Sequence, residues 1–113
     1  MNLDNLDRLI ASLKDGTVYG MDVKFQMVVF VRFFEPCGTA ACLAGHCALL
    51  GRMEDYDYGA VFDFASRWLD IPYAIAKPMF LEPGGLKYHE ITPAIAVKML
   101  ENFRATNKVE WSH

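Results

Sequence analysis

The stretch CGTAACLAGHCALLG, residues 37–51, holds all three cysteines of the chain and one of its three histidines. Ala40, Ala41, Ala44, Gly45 and Ala48 make nearly every position in it small. A proline–glycine turn at 36–38 precedes it, Thr39 is placed to cap a helix, and Gly51 is placed to stop one. The expectation is a helix running to about Leu50 whose small side chains let neighbours approach at the short end of the usual ~8–10 Å interaxial range. Gly45 in its middle costs about 1 kcal/mol against alanine. A bulky neighbour such as Trp68, Phe62 or Phe80 packed on it would offset that cost. Such a helix belongs at the centre of the fold.

The rest of the chain reads as short helices around that centre. Leu3, Leu6, Leu9, Ile10 and Leu13 share one face of an amphipathic helix, with Asn2 or Asp4 as cap and Gly16 as its end. Residues 60–71 form a second amphipathic stretch, with Val61, Phe62, Ala65, Trp68 and Leu69 on one face. Ile71-Pro72 restarts the chain as a short helix ending near Phe80, with Pro78 inside it. Thr92-Pro93 is a cap followed by proline at the first helical position, opening a last helix to about Ala105. Val109 and Trp111 in the tail are placed to fold back on the core. Residues 21–34 differ: Met21, Val23, Phe25, Met27, Val29, Val31 and Phe33 alternate strictly. That favours extended structure, as one strand or two. A lone strand has no partner in a helical chain, so its edge is a candidate docking site. The fold class is therefore mostly α: about five short helices around a small-residue central helix, with one short extended segment at 21–34. With 113 residues, one compact domain spanning 1–113 is expected.

Composition narrows the function. Hydrophobic residues make up 53% of the chain, so a real core is expected. The net charge is −3, and no basic stripe runs along the sequence, which argues against nucleic acid as the main partner. Residues 52–70 alone carry that −3, with Glu54, Asp55, Asp57, Asp63 and Asp70 against Arg52 and Arg67. An acidic surface suits a basic protein partner, although a solvated loop and helix face would look the same. The longest apolar run, Met27 to Val31, stops at Arg32, far short of the ~20 residues of a membrane span. The acidic amphipathic start lacks the positive region of a signal peptide. An odd cysteine count argues against a disulfide framework, and a reducing cytoplasm is the natural setting.

The central stretch offers two candidate chemical sites. Cys37, Cys42 and His46 have the spacing C-x4-C-x3-H, and Cys42 and His46 would share a helix face as zinc ligands, with His89 or Glu35 as the fourth. Only half of a zinc signature is present, and buried free cysteine is an ordinary core residue. Cys37, just ahead of the helix, could be an activated thiolate. His46 lies ~10 Å further along the axis at 1.5 Å per residue, so His89 would have to be the base, and no orienting third residue declares itself. Phosphate-cradling loops, nucleophile elbows and calcium-loop patterns do not occur. No catalytic residue and no cofactor is assigned.

The stretch 37–51, the helix ending WLDIP, and the segment ITPAIAVKMLENFRATNKVEW together resemble a family of small uncharacterised bacterial, phage and prophage proteins. Cys37, Gly38, Thr39, Cys42, Ala44 and Gly45 match its motif of Cys-Gly-Thr, two small residues, and Cys-Ile-Ala-Gly. Leu43 stands where isoleucine is usual. Thr92-Pro93 and Val109-x-Trp111 match its C-terminal helix and tail. The resemblance covers most of residues 19–111 and implies no catalytic activity. Tryptophan is frequent at the position of His46, which weakens the zinc reading.

The functional expectation is a non-enzymatic protein-binding module of phage or mobile-element type, such as a phage inhibitor of a host defence system of the anti-CRISPR kind. Its contact residues would be Glu54, Asp55 and Asp57 in the acidic segment and Val29, Phe30, Phe33 and Phe34 in the apolar run. The alternative is a zinc- or thiol-dependent protein using Cys37, Cys42 and His46. A homodimer through residues 21–34 is a third reading. The packing account of the central helix is testable by itself. Gly45→Leu is expected to overpack the core by ~1–3 kcal/mol and lower Tm. An unchanged Tm would remove the close-packing explanation.

Overall fold

The computed structural model describes residues 1–25, 31–34, 38–52, 58–81, 86 and 90–112, and for Lys24, 31–34, 38–41 and 58–60 it describes the backbone. In chain order the elements are α1 (Leu3–Asp15), β1 (Thr17–Val18), β2 (Met21–Phe25), β3 (Val31–Phe34), β4 (Gly38–Ala41), α2 (Leu43–Leu50), α3 (Tyr58–Leu69), α4 (Tyr73–Phe80) and α5 (Pro93–Thr106). The protein is mostly α, with five helices and a small sheet among the described residues.

All eight residues of α2 are buried. A helix apolar on every side is stable only when covered on every side. α3 and α1 pack on it, and β1 and β4 close further flanks. α1 in turn packs on α5, so α1 is the layer that joins the central helix to the C-terminal one. The core runs from Leu6, Leu9 and Leu13 through Leu43, Ala44, Cys47 and Ala48 to Val61, Ala65 and Leu69. Met79, Phe80, Met99, Leu100 and Phe103 complete it. Leu3, though in register with the apolar face of α1, is 44% exposed, because it lies beyond the edge of that contact.

The helix boundaries follow local chemistry. Asn2 caps α1 by accepting from the Asn5 N–H at 3.0 Å. Gly16 ends α1 in the left-handed region, at φ 73°, and its N–H returns to the Ser12 carbonyl at 2.8 Å. Thr92 caps α5 by accepting from the Ile95 N–H at 3.3 Å, with Pro93 next. α4 starts after Pro72 and holds Pro78. The tail does return: Trp111 Nε1 donates to the Pro78 carbonyl at 2.8 Å, and Val109 packs on the core.

The beginning of the central helix differs from expectation. Thr39 is not its cap: residues 38–41 are strand β4, and α2 starts at Leu43 after Cys42 in extended geometry. Alanine favours helix, yet Ala40 and Ala41 are held by pairing on both sides. β4 lies between β2, parallel, and β3, antiparallel, in the strand order β1-β2-β4-β3. An inner strand places its backbone hydrogen-bonding groups on two neighbours, and that outweighs a propensity difference of tenths of a kcal/mol per residue. The extended segment 21–34 therefore has the partner that a lone strand would lack. It contains two strands, which the third separates.

β1 and β2 form a hairpin whose two-residue loop is Tyr19-Gly20, both at positive φ, 51° and 80°. Positive φ at both loop residues is the two-residue turn that matches strand twist. Ser12 Oγ donates to the Thr17 carbonyl at 2.6 Å and the Val23 N–H donates to the Gly16 carbonyl at 2.9 Å, fixing the hairpin to the end of α1.

Gly51 ends α2, but not by a left-handed turn: its φ is −81°. A Cβ there would lie 2.5 Å from Phe64 Cε1, 2.6 Å from Phe64 Cζ and 3.0 Å from Trp68 Cδ1. The glycine admits α3 at close range. With a permitted backbone, alanine would otherwise gain about 0.4–1 kcal/mol. Overpacking reverses the sign, so Gly51→Ala is expected to destabilise by ~1 kcal/mol. Combining it with Phe64→Leu should recover part of the loss in Tm. A Tm raised by Gly51→Ala alone would refute the close-approach account.

Candidate functional site

Of the residues expected to bind a protein partner, Phe33 and Phe34 lie in β3, at one edge of the sheet. β3 pairs with β4 from Val31↔Ala41 to Phe34↔Gly38. No described strand pairs with its other side. Val29, Phe30, Glu54, Asp55 and Asp57 lie outside the described residues, as do Cys37, Glu35 and His89. Of the other acidic residues in 52–70, Asp63 and Asp70 are exposed, and the Asp70 carboxylate is 3.5 Å from the N-terminal ammonium.

Cys42 and His46 are brought together, in a manner that favours packing over ligation. Cys42 is 3% exposed and His46 1% exposed. The His46 Nδ1 lies 2.8 Å from the Cys42 carbonyl oxygen, one helical turn back. A carbonyl only accepts, so Nδ1 carries the hydrogen and donates. That bond fixes the tautomer and the orientation of the ring. Its face meets the Phe25 ring at a centroid distance of 5.8 Å. Burial pushes the Cys42 thiol up to about 11, against the weaker opposing pull of the Gly45 and Ala44 backbone. Burial, with Cys42 nearby, pushes Cys47 well above the ordinary thiol range. Buried thiols of this kind hold their protons and are poor nucleophiles.

A different cluster is assembled at the C-terminal end of α2, from residues that the sequence does not single out. That end carries no basic residue of its own in its last turn. Arg8 of α1 supplies the charge: its Nη2 donates to the Leu50 carbonyl at 3.3 Å and to the Tyr19 hydroxyl at 2.7 Å. The Tyr19 hydroxyl also donates to the Leu50 carbonyl. Cations and donors at this end complement the helix dipole and its orphan carbonyls. The Arg8 guanidinium carbon lies 5.5 Å from the Trp68 ring centroid, and Arg52 is stacked 4.5 Å over the ring of Tyr19. Slight burial raises the Tyr19 phenol, but the Arg52 and Arg8 guanidiniums outweigh it and hold the group below its ordinary value. Tyr19 and Arg52 both sit in the left-handed region, at φ 51° and 57°. Each such non-glycine residue costs about 1 kcal/mol or more. The only trace of the cluster in the sequence is the Tyr19-Gly20 pair ahead of a strand, since its members are scattered over residues 8, 19, 52 and 68.

An open groove of about 700 Å³ lies between α1 and α5, with Leu13, Ala94 and Val97 in its lining. Lys14 and Glu101 also line it and approach each other at 3.6 Å. With Lys14 and Glu101 paired and Leu13, Ala94 and Val97 beneath them, it has the character of a helix seam rather than of a site with convergent polar groups. No helix among the described residues is long and apolar enough to cross a membrane. No protein-family model, curated protein or solved structure matches the chain.

The thiol geometry sets a pH dependence. An unfolded Cys42 ionises near 9.0, whereas the buried one holds its proton to about 11. Between those values the unfolded state binds fewer protons, so stability should fall as pH rises through the window and level off above it. The slope for this group approaches ~1.4 kcal/mol per pH unit. Urea midpoints across pH 8–11 should therefore fall less steeply in Cys42→Ala than in the parent. Equal slopes would show that Cys42 is not the group concerned.

Proposed function

We propose that this chain is a small non-enzymatic protein-binding module that works through the β3 edge and the acidic segment. The observation that carries this reading is the position of β3. Residues 31–34, Val-Arg-Phe-Phe, pair on one side only among the described strands, and they end an apolar run that begins at Met27. A strand edge with apolar side chains is a template for pairing with another chain. The acidic segment, with its local charge of −3, complements a basic partner and would steer its approach. A host or bacterial protein with a basic surface is the partner of choice, and a cytoplasmic setting agrees with an odd set of thiols.

The more specific form of the proposal is a phage or mobile-element inhibitor of a host defence system, of the anti-CRISPR kind. It is supported by the resemblance of residues 37–45 and 92–111 to the bacterial and phage family, by small size and by acidity. The zinc or thiol alternative is disfavoured by the burial of Cys42 and His46 in the apolar core.

The test is affinity capture from the native host followed by reconstitution with the purified partner. Asp55→Lys/Asp57→Lys is expected to weaken the reconstituted complex and to flatten its salt dependence. A partner bound equally well by that variant overturns the acidic-patch reading. Light scattering over a range of concentrations provides the companion measurement. A dimer that persists on dilution would make a second copy the occupant of the β3 edge.

A further inference from the structure

Arg8 and Arg52 stand out in a chain of net charge −3. They come from distant parts of the sequence and converge on one phenol, Tyr19. Like charges brought together repel, and the left-handed backbone at Tyr19 and Arg52 adds a conformational cost at the same spot. Capping the Leu50 carbonyl explains Arg8. It does not explain Arg52, whose guanidinium lies over the face of the ring. Among the described residues no carboxylate lies within ion-pair distance of either arginine. Arg8, Arg52 and Tyr19 are all exposed. The bonds of Arg8 to Asn5, Tyr19 and Leu50 use three of the five N–H donors of a guanidinium. Arg52 also reaches the Tyr19 phenol, which holds one of its five N–H donors near the ring.

We propose that Arg8 and Arg52, gathered on Tyr19, form a binding site for a dianionic phosphoryl group, as free phosphate or as a small phosphomonoester. Two guanidiniums supply the charge that a dianion requires, and tetrahedral oxygens can accept from two differently oriented donor planes. Tyr19 acts as the spacer: its hydroxyl locates Arg8 and its ring locates Arg52. The indole of Trp68 behind Arg8 gives the site a spectroscopic reporter. The site lies at the C-terminal end of α2 and does not depend on the β3-edge reading.

The experiment titrates the full chain with inorganic phosphate and separately with phenyl phosphate, at an ionic strength held constant with sodium chloride. Binding is read from the arginine Nε resonances and from Trp68 fluorescence in a Trp111→Phe background. The expected result is saturable binding on the order of millimolar. Arg8→Gln and Arg52→Asn should each weaken it at least about tenfold, the equivalent of losing one charged hydrogen-bonding partner. Asparagine tolerates the left-handed backbone at 52, and circular dichroism checks that both variants fold. Tighter binding of phenyl phosphate than of inorganic phosphate would identify an esterified source, and the reverse would identify the free ion. Acetate serves as the monoanion arm, and equal affinity for it overturns the dianion assignment. So does an Arg52→Asn variant that binds as the parent does. Absence of binding in the parent also overturns the proposal. If binding then appeared in Glu54→Gln/Asp55→Asn/Asp57→Asn, the occupant would be the chain's own carboxylates.

Discussion

The fold depends on covering one short helix on all sides. α2 has no face that water can solvate, and its eight residues are all buried. Only a shell of several elements can do that: α1 and α3 on its flanks, and β1 and β4 against it. Ala44 and Ala48 are fully buried in it, where small side chains leave room for close neighbours. Gly51 extends the same demand past the helix end, where the rings of Phe64 and Trp68 occupy the space of a side chain. The absent side chain at 51 is thus a packing device, although a glycine after a helix is usually read as a conformational one.

Burial at the core also settles the chemistry of the central stretch. Desolvation keeps Cys42 and Cys47 protonated, and His46 directs Nδ1 to a backbone oxygen. The same thiol and imidazole at a surface would be a plausible metal or nucleophile pair. Inside a dry core they become space-filling groups with their polar atoms satisfied. Outside that core, at the far end of α2, charged side chains gather on aromatic rings.

The N-terminal half shows how a single covered helix organises its neighbours. β4 leads into α2 through the extended backbone of Cys42 and lies between β2 and β3. The β1–β2 hairpin turns at Tyr19-Gly20 and reaches the other end of α2 through the Tyr19 hydroxyl. Sheet and hairpin therefore hold the central helix at both termini. α1 ties this half to α5, assisted at the surface by Arg104, which donates to Asp7 at 2.7 and 3.2 Å. That guanidinium holds the Asp7 carboxyl below its usual range, although the exposure of the pair makes it a minor contributor.

Much of the helical architecture is written locally. The spacing of Leu6, Leu9, Ile10 and Leu13 specifies a buried face, and Asn2, Gly16, Thr92 and Pro93 mark ends by capping chemistry that acts within one turn. Alternation in 21–34 announces extended backbone, and the run of alanines announces a tightly packed centre. Tertiary structure decided what depends on partners distant in sequence. Ala40 and Ala41 became strand because β2 and β3 offered hydrogen bonds on both sides, a gain that no helical propensity can register. The Tyr19 hydroxyl meets the Leu50 carbonyl, 31 residues on, only once the hairpin has docked on α2. Arg8, Tyr19, Arg52 and Trp68 form one cluster only after α1, the hairpin, α2 and α3 have docked. Local sequence fixes which residues prefer to be buried or capped. Which polar groups meet depends on contacts whose entropy cost is met only by the assembled core.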